Sequence, residues 1–263
     1  MTVLVITNQK GGVGKTTTAI SLGAALVGTG QRVLIVDLDP QANATSGLGV
    51  GKEPPNPIYG VLLKEQPLTD SIASTALDRL DLLASGPDMA GAEVELVPML
   101  AREYRLRQAL RGASAYDTVI IDCPPSLGLL TINALTAGDA VLIPVQCEYY
   151  ALEGLAQLLK TIAAVHDRLN DRLEVLGIVL TMEDRRNRLS LQVIDEVRRH
   201  FPTLVTRARI PRTVRLAEAP SHGIPISLYE PHSPASQAYD DLARELLARL
   251  HKTEPLVVGG AIA

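Results

Sequence analysis

Residues Asn8 to Thr18 read NQKGGVGKTTT. They lie between a short apolar run, Val3-Leu4-Val5-Ile6, and a segment in which Ile20, Leu22, Ala24, Ala25 and Leu26 give a helical apolar face. Strand, glycine turn and helix together make a phosphate cradle. Gly11, Gly12 and Gly14 let backbone N–H groups turn inward, and the helix N-terminus adds unpaired donors and the positive end of its dipole. In such a cradle Lys15 reaches terminal phosphates and the Thr16 hydroxyl ligates Mg²⁺.

The pattern G-x-x-x-x-G-K-[ST] is not met, because its first glycine falls on Gln9. The chain has K-G-G-V-G-K-T-T instead, with a second lysine, Lys10, at the head of the loop. This signature resembles the deviant P-loop ATPases. The resemblance implies an ATP site formed by Lys10, Gly11, Gly12, Val13, Gly14, Lys15, Thr16 and Thr17. It also implies that Lys10 reaches across a homodimer to the partner's nucleotide.

At 263 residues and 46% hydrophobic, the chain can bury a large α/β core, as one domain more readily than two. A formal charge of -4 excludes a globally basic nucleic-acid binder but not a local basic patch. Two cysteines, Cys123 and Cys147, and no leader-like N-terminus read as a cytoplasmic protein with reduced thiols. No apolar run approaches the roughly 20 residues of a membrane span.

Gln31 to Asp39, QRVLIVDLD, reads as a second strand ending in Asp37 and Asp39. Carboxylates at the C-terminal end of a parallel strand sit where open α/β sheets bind ligands. VDLDPQ resembles the second motif of the same family, which implies that Asp39 orients the hydrolytic water and borders the metal, with Asp37 behind it. Asn43 to Pro57 reads as a surface loop, and Leu80 to Ala84 as a short strand. Glu93 to Arg111 reads as one helix with Leu96, Leu100, Tyr104, Leu106 and Leu110 on its apolar face.

Asp117 to Pro125, DTVIIDCPP, places Asp122 at the end of a central strand, the Walker B position of a carboxylate that reaches Mg²⁺ through water. The metal set is therefore Thr16, Asp122 and Asp39. Pro124-Pro125 and the loop at Ser126–Gly128 read as a switch sensing the terminal phosphate. Nitrogenase iron protein relatives share this loop and carry a cluster on two cysteines. Here Cys123 follows the Walker B aspartate and no CxxC is present, so both thiols read as small buried side chains.

Ala140 to Gln146 and Leu176 to Thr181 read as further strands, and Tyr150 to Leu169 as a long helix. The string PVQCEYYALEGL resembles the ParA/Soj chromosome-partitioning ATPases. Arg185 to Arg215 then holds nine arginines and no lysine against two acids. Arginines spread over several elements suit phosphate-backbone contact without base readout. The resemblance to Soj-like proteins implies that Arg186 and Arg215 bind non-specific double-stranded DNA, with Arg185 and Arg188 beside them. It also implies that Pro211 lines the base pocket. Arg212 serves either nucleotide or DNA. Ser233 to Leu250 reads as a closing helix capped by Ser233.

The resemblance spans residues 2 to 250. It implies a single α/β domain over 1–250, with a doubly wound, mostly parallel sheet flanked by helices, and a flexible tail over 251–263. The implied function is slow, Mg²⁺-dependent ATP hydrolysis in a nucleoid-associated dimer, stimulated by a ParB-type centromere-binding partner. A MinD-like membrane-cycling ATPase is a rival class, against which the tail argues, having no basic face and being broken by glycine. An ATPase positioning another cargo would carry identical motifs.

Overall fold

The computed structural model describes residues 1–251 except 52, 56, 149, 150 and 185. Arg185 and nearly all of the tail expected over 251–263 thus lie outside the described residues. Eight strands form one sheet in the order β3-β4-β2-β5-β1-β6-β7-β8. They are β1 (Thr2–Ile6), β2 (Val33–Asp37), β3 (Ile72–Ser74), β4 (Leu80–Leu83), β5 (Thr118–Asp122), β6 (Ala140–Gln146), β7 (Glu174–Glu183) and β8 (Val205–Pro211). All pairings are parallel except that of β3 with β4 at the edge.

The helices are α1 (Lys15–Gly28), α2 (Asn43–Gly47), α3 (Ile58–Leu63), α4 (Met89–Leu96), α5 (Arg105–Ala109) and α6 (Leu129–Ala137). After them come α7 (Ala151–Arg168), α8 (Arg188–His200), α9 (Arg215–Glu218), α10 (Ile226–Tyr229) and α11 (Pro234–Leu250). The sheet separates two apolar cores. Val3, Val5, Leu34, Val36, Val119 and Ile121 point into one, with α3 to α8. Leu4, Ile6, Val33, Ile35 and Ile120 point into the other, with α1, α10 and α11. Strands buried on both faces carry continuous apolar runs, which is why these were readable as strands. The fold is the expected doubly wound, mostly parallel α/β sheet.

Two expectations fail locally. The segment at Glu93–Arg111 is not one helix: α4 ends at Leu96, a 3₁₀ turn covers Arg102–Tyr104, and α5 starts at Arg105. Pro98 lacks the N–H that a helix needs, and Ala101 takes a left-handed φ of 51°. The break leaves Leu100 92% exposed, alongside Val94 and Val97. The expected loop at Asn43–Pro57 contains α2, whose Ala44 and Thr45 are fully buried. Arg188 opens α8, and Arg215 opens α9. Ser233 caps α11 as expected, its hydroxyl accepting from the Ser236 N–H at 3.1 Å.

Candidate functional site: the nucleotide cradle and its carboxylates

Register sets the geometry of the site. Ile6 of β1 and Asp37 of β2 both stand opposite Asp122 of β5, so three strands end side by side beneath one loop. Ligands bind in open α/β sheets at this end of the strands. The glycine loop leaves β1 there. Gly12 and Gly14 have φ of 74° and 86°, conformations that a side chain would strain. Asn8 fastens the head of the loop, donating to the Pro144 carbonyl at 2.7 Å and accepting from the Lys10 N–H at 3.0 Å. Lys15 is 7% exposed, and its Nζ crosses the loop to the Lys10 carbonyl at 3.2 Å. Burial holds the Lys15 ammonium below its ordinary range, opposed by the nearby Asp122, Cys123 and Asp39.

Beneath the loop lie the carboxylates. Asp37 accepts from the Thr45 N–H and hydroxyl, both at 2.8 Å, and from the Asp39 N–H at 3.1 Å. Burial nevertheless pushes Asp37 up to about 6. Asp39 is buried, with Oδ1 accepting from the Gln41 N–H at 2.9 Å and its carbonyl from the Ser85 hydroxyl at 2.8 Å. Thr45 and Ser85 were not expected at the site. Thr45 also receives the Ser85 N–H at 2.9 Å, so these two residues fix the Asp37–Asp39 turn from behind. No motif flags them.

Asp122 is fully buried, and neither carboxylate oxygen meets hydrogen-bond geometry with any protein group. Burial raises it well above its ordinary value and the charge of Asp37 adds to this, while the Thr16 hydroxyl and Lys15 ammonium oppose it. A buried acceptor without a partner is costly unless something fills the space in front of it. A hard divalent cation fits. Among the described residues no group of three or more His, Cys, Asp or Glu is placed to cage a metal. Mg²⁺ suits such a site, since it takes one or two protein oxygens, several waters and substrate phosphates.

A cavity of about 360 Å³ adjoins the cradle, lined by Gly14 of the loop, Thr17 of α1, Thr181 and Met182 of β7, Pro211, Arg212 and Tyr239. It brings Pro211 and Arg212 beside the loop, where the base pocket was expected. Both cysteines are buried, with Cys123 behind Asp122 and Cys147 at the end of β6. Burial raises both thiols, which leaves them unreactive.

Lys10 does not project freely. Its Nζ pairs with Glu148 of the same chain at 2.7 Å. The arginines leave the sheet at this same end. Glu183 of β7 lies opposite Pro211 of β8, so Arg186 and Arg188 follow one strand end while Arg212 and Arg215 follow its neighbour. Arg186, Arg188 and Arg212 are exposed. Arg215 is tied to Glu218 at 2.9 Å and to Glu230 at 3.6 Å.

Comparison with known proteins bears on the same residues. The AAA domain family model matches residues 1–175. The sporulation initiation inhibitor protein Soj of Bacillus subtilis is 55% identical over 248 residues, covering 94% of this chain and 98% of that protein. The chain belongs to the ParA/Soj family of chromosome-partitioning ATPases. The chromosome partitioning protein ParA of Caulobacter vibrioides is 53% identical, covering 94% of each chain. Among solved structures, cobyrinic acid a,c-diamide synthase from Mycobacterium smegmatis, with bound ATP analog and magnesium, superposes with a TM-score of 0.85. It is 39% identical and covers 97% of this chain and 98% of its own. The family expected from the motifs is thus the family found.

Two predictions come from the carboxylates. Replacing Asp122→Asn removes a carboxyl group whose ionised form burial disfavours. The nucleotide-free variant should gain stability on the order of 1 kcal/mol, about 2–4 °C in a melting scan. Its ATP affinity should at the same time stop responding to Mg²⁺. Raised carboxylates also link binding to protons. The native state holds these protons more tightly than the unfolded chain, so the empty protein should lose stability as pH rises from about 4 through 6. A cation needs the ionised form of Asp122, which burial disfavours, so Mg·ATP binding should release protons and tighten as pH rises. Calorimetry in two buffers of different ionisation enthalpy reads this directly.

Proposed function

We propose that this chain is an ATP-driven partitioning switch, which binds DNA as an ATP-bound dimer and releases it on hydrolysis. The observation that carries the reading is the fully buried Asp122 carboxylate beside Lys15 and Thr16, a site completed by Mg·ATP. The chain's membership in the ParA/Soj family supports the same reading. Lys15 and the loop amides hold the phosphates, and Thr16 with Asp122 holds the metal. Bound Mg²⁺ supplies charge neutralisation at the β- and γ-phosphates. Thr17, Pro211 and Arg212 border the base. Asp39, fixed by Gln41 and Ser85, orients the attacking water.

Lys10 serves the dimer. To reach a partner's nucleotide it exchanges the Glu148 carboxylate for phosphate. Both side chains are about half exposed, at 41% and 50%, so that pair is weak and readily given up. Lys10→Ala should leave the monomer folded and abolish ATP-dependent dimerisation, measured by light scattering.

The arginines serve DNA. Adjacent strand ends deliver Arg186, Arg188 and Arg215 to the end of the sheet where nucleotide binds, and dimerisation doubles that surface. Duplex phosphate replaces Glu218 and Glu230 around Arg215. A ParB-type partner accelerates hydrolysis, and the protein works on the nucleoid. Among the described residues no helix is long and apolar enough to cross a membrane.

Binding to non-specific duplex DNA across a salt series, with ATP, ADP or no nucleotide, tests the scheme. ATP alone should support binding. Arg215→Ala should weaken it and flatten the salt slope by about one to two, one phosphate contact per protomer. Glu218→Gln should tighten it. DNA binding indifferent to nucleotide, or unchanged in Arg215→Ala, would remove the arginines from the mechanism. Lys15→Ala should lose ATP binding altogether, and full affinity in that variant would sink the whole reading.

A further inference from the structure

Thr181, near the end of β7, is 2% exposed. Its hydroxyl donates to the Val13 carbonyl at 2.9 Å, across 168 positions of sequence. Val13 stands in the glycine loop between Gly12 and Gly14, both at positive φ. Backbone at such glycines turns freely, so the loop's own sequence does little to fix the peptide between Val13 and Gly14. That peptide is a rigid trans plane, with its C=O and its N–H directed to opposite sides. Anchoring the Val13 carbonyl toward β7 therefore turns the Gly14 N–H away from β7. Lys15, the next residue, spans the same loop to the Lys10 carbonyl. Thr181 and Gly14 both line the cavity beside the cradle, and the Thr181 methyl lies 4.0 Å from where a Gly14 Cβ would stand.

We infer that Thr181 is a positioning residue of the nucleotide site: its hydroxyl holds the Val13–Gly14 peptide so that the Gly14 N–H faces the bound polyphosphate. The inference rests on the nucleotide-binding reading above and adds a residue to it. In the cradle the backbone N–H groups must be aimed before the phosphates arrive, since aiming them during binding costs affinity. A hydroxyl on the neighbouring strand does this without touching the ligand. It also makes one side chain a wall of the base cavity and a clamp on the phosphate loop.

A purely structural role, in which the hydroxyl merely satisfies a buried carbonyl, predicts a lower melting temperature with nucleotide affinity retained. The full chain and its Thr181→Val and Thr181→Ser variants would be titrated with Mg·ADP by calorimetry. The Gly14 amide resonance would be followed in ¹⁵N-labelled protein. Thr181→Val should bind Mg·ADP about tenfold more weakly, the loss of one oriented contact to a charged group. The ADP-induced shift of the Gly14 amide should also shrink. Thr181→Ser restores the hydroxyl, and should recover both to about twofold. If Thr181→Val does not fold, Thr181→Ala gives the same comparison with serine. Wild-type affinity and an intact Gly14 shift in the hydroxyl-free variant would overturn the inference. So would failure of Thr181→Ser to recover, which assigns the effect to methyl packing. Wild-type protein that ignores Mg·ADP would overturn the nucleotide reading itself, and this inference with it.

Discussion

The crowding of acidic side chains under one loop governs how the rest of this molecule is arranged. Parallel register brings Asp37 and Asp122 level at the ends of neighbouring strands, and Asp39 follows two residues on. In the empty protein their mutual repulsion and burial are relieved only in part, by Lys15, Thr16 and the Thr45–Ser85 brace. Such a site is stable only because the sheet around it is buried on both faces. The apolar strands on either side hold in place a cluster that would otherwise hydrate and separate. The empty state stores an electrostatic cost that a cation and a polyphosphate remove, which makes ligand binding and local stability one quantity.

The same carboxylates are bordered by segments that pack against several helices. The loop after Asp122 is linked to α6, where the Thr131 hydroxyl donates to the Ser126 carbonyl, and α6 in turn to α4, where Glu93 accepts the Leu130 N–H at 3.3 Å. The end of β8 and the segment after it line the cavity beside the cradle with Pro211 to Val214, Leu216 and Ala217, and Arg215 lies in the same stretch of chain.

Much of this was legible in the sequence, for identifiable reasons. Strands buried on both faces leave continuous apolar runs, so β1, β2, β5 and β6 could be read within about two residues. The loop glycines and lysines are contiguous, and Asp39 and Asp122 close apolar runs. What could not be read depends on partners distant in sequence. Thr45 gains its role from Asp37 and Ser85, Thr181 from a carbonyl 168 residues away, and the Lys10 pair from Glu148. None of these sits in a periodic pattern. The misread helix at Glu93–Arg111 failed because helical spacing continues through Pro98 and Ala101 while the backbone does not.

The position of β1 has a consequence for biosynthesis. β1 lies between β5 and β6, both later in the chain, so its edges stay unpaired by them until about residue 122 and then residue 142 have been synthesised. The cradle it leads into gains its β7 clamp at Thr181, and α1 its fully buried packing partner only with Tyr239, whose hydroxyl lies 3.4 Å from that of Thr18. A chain still emerging from the ribosome therefore holds the loop sequence without the walls that shape it. Nucleotide can reward folding only once the chain has been made through about residue 239, and a growing chain must keep its open edges covered by other means until then.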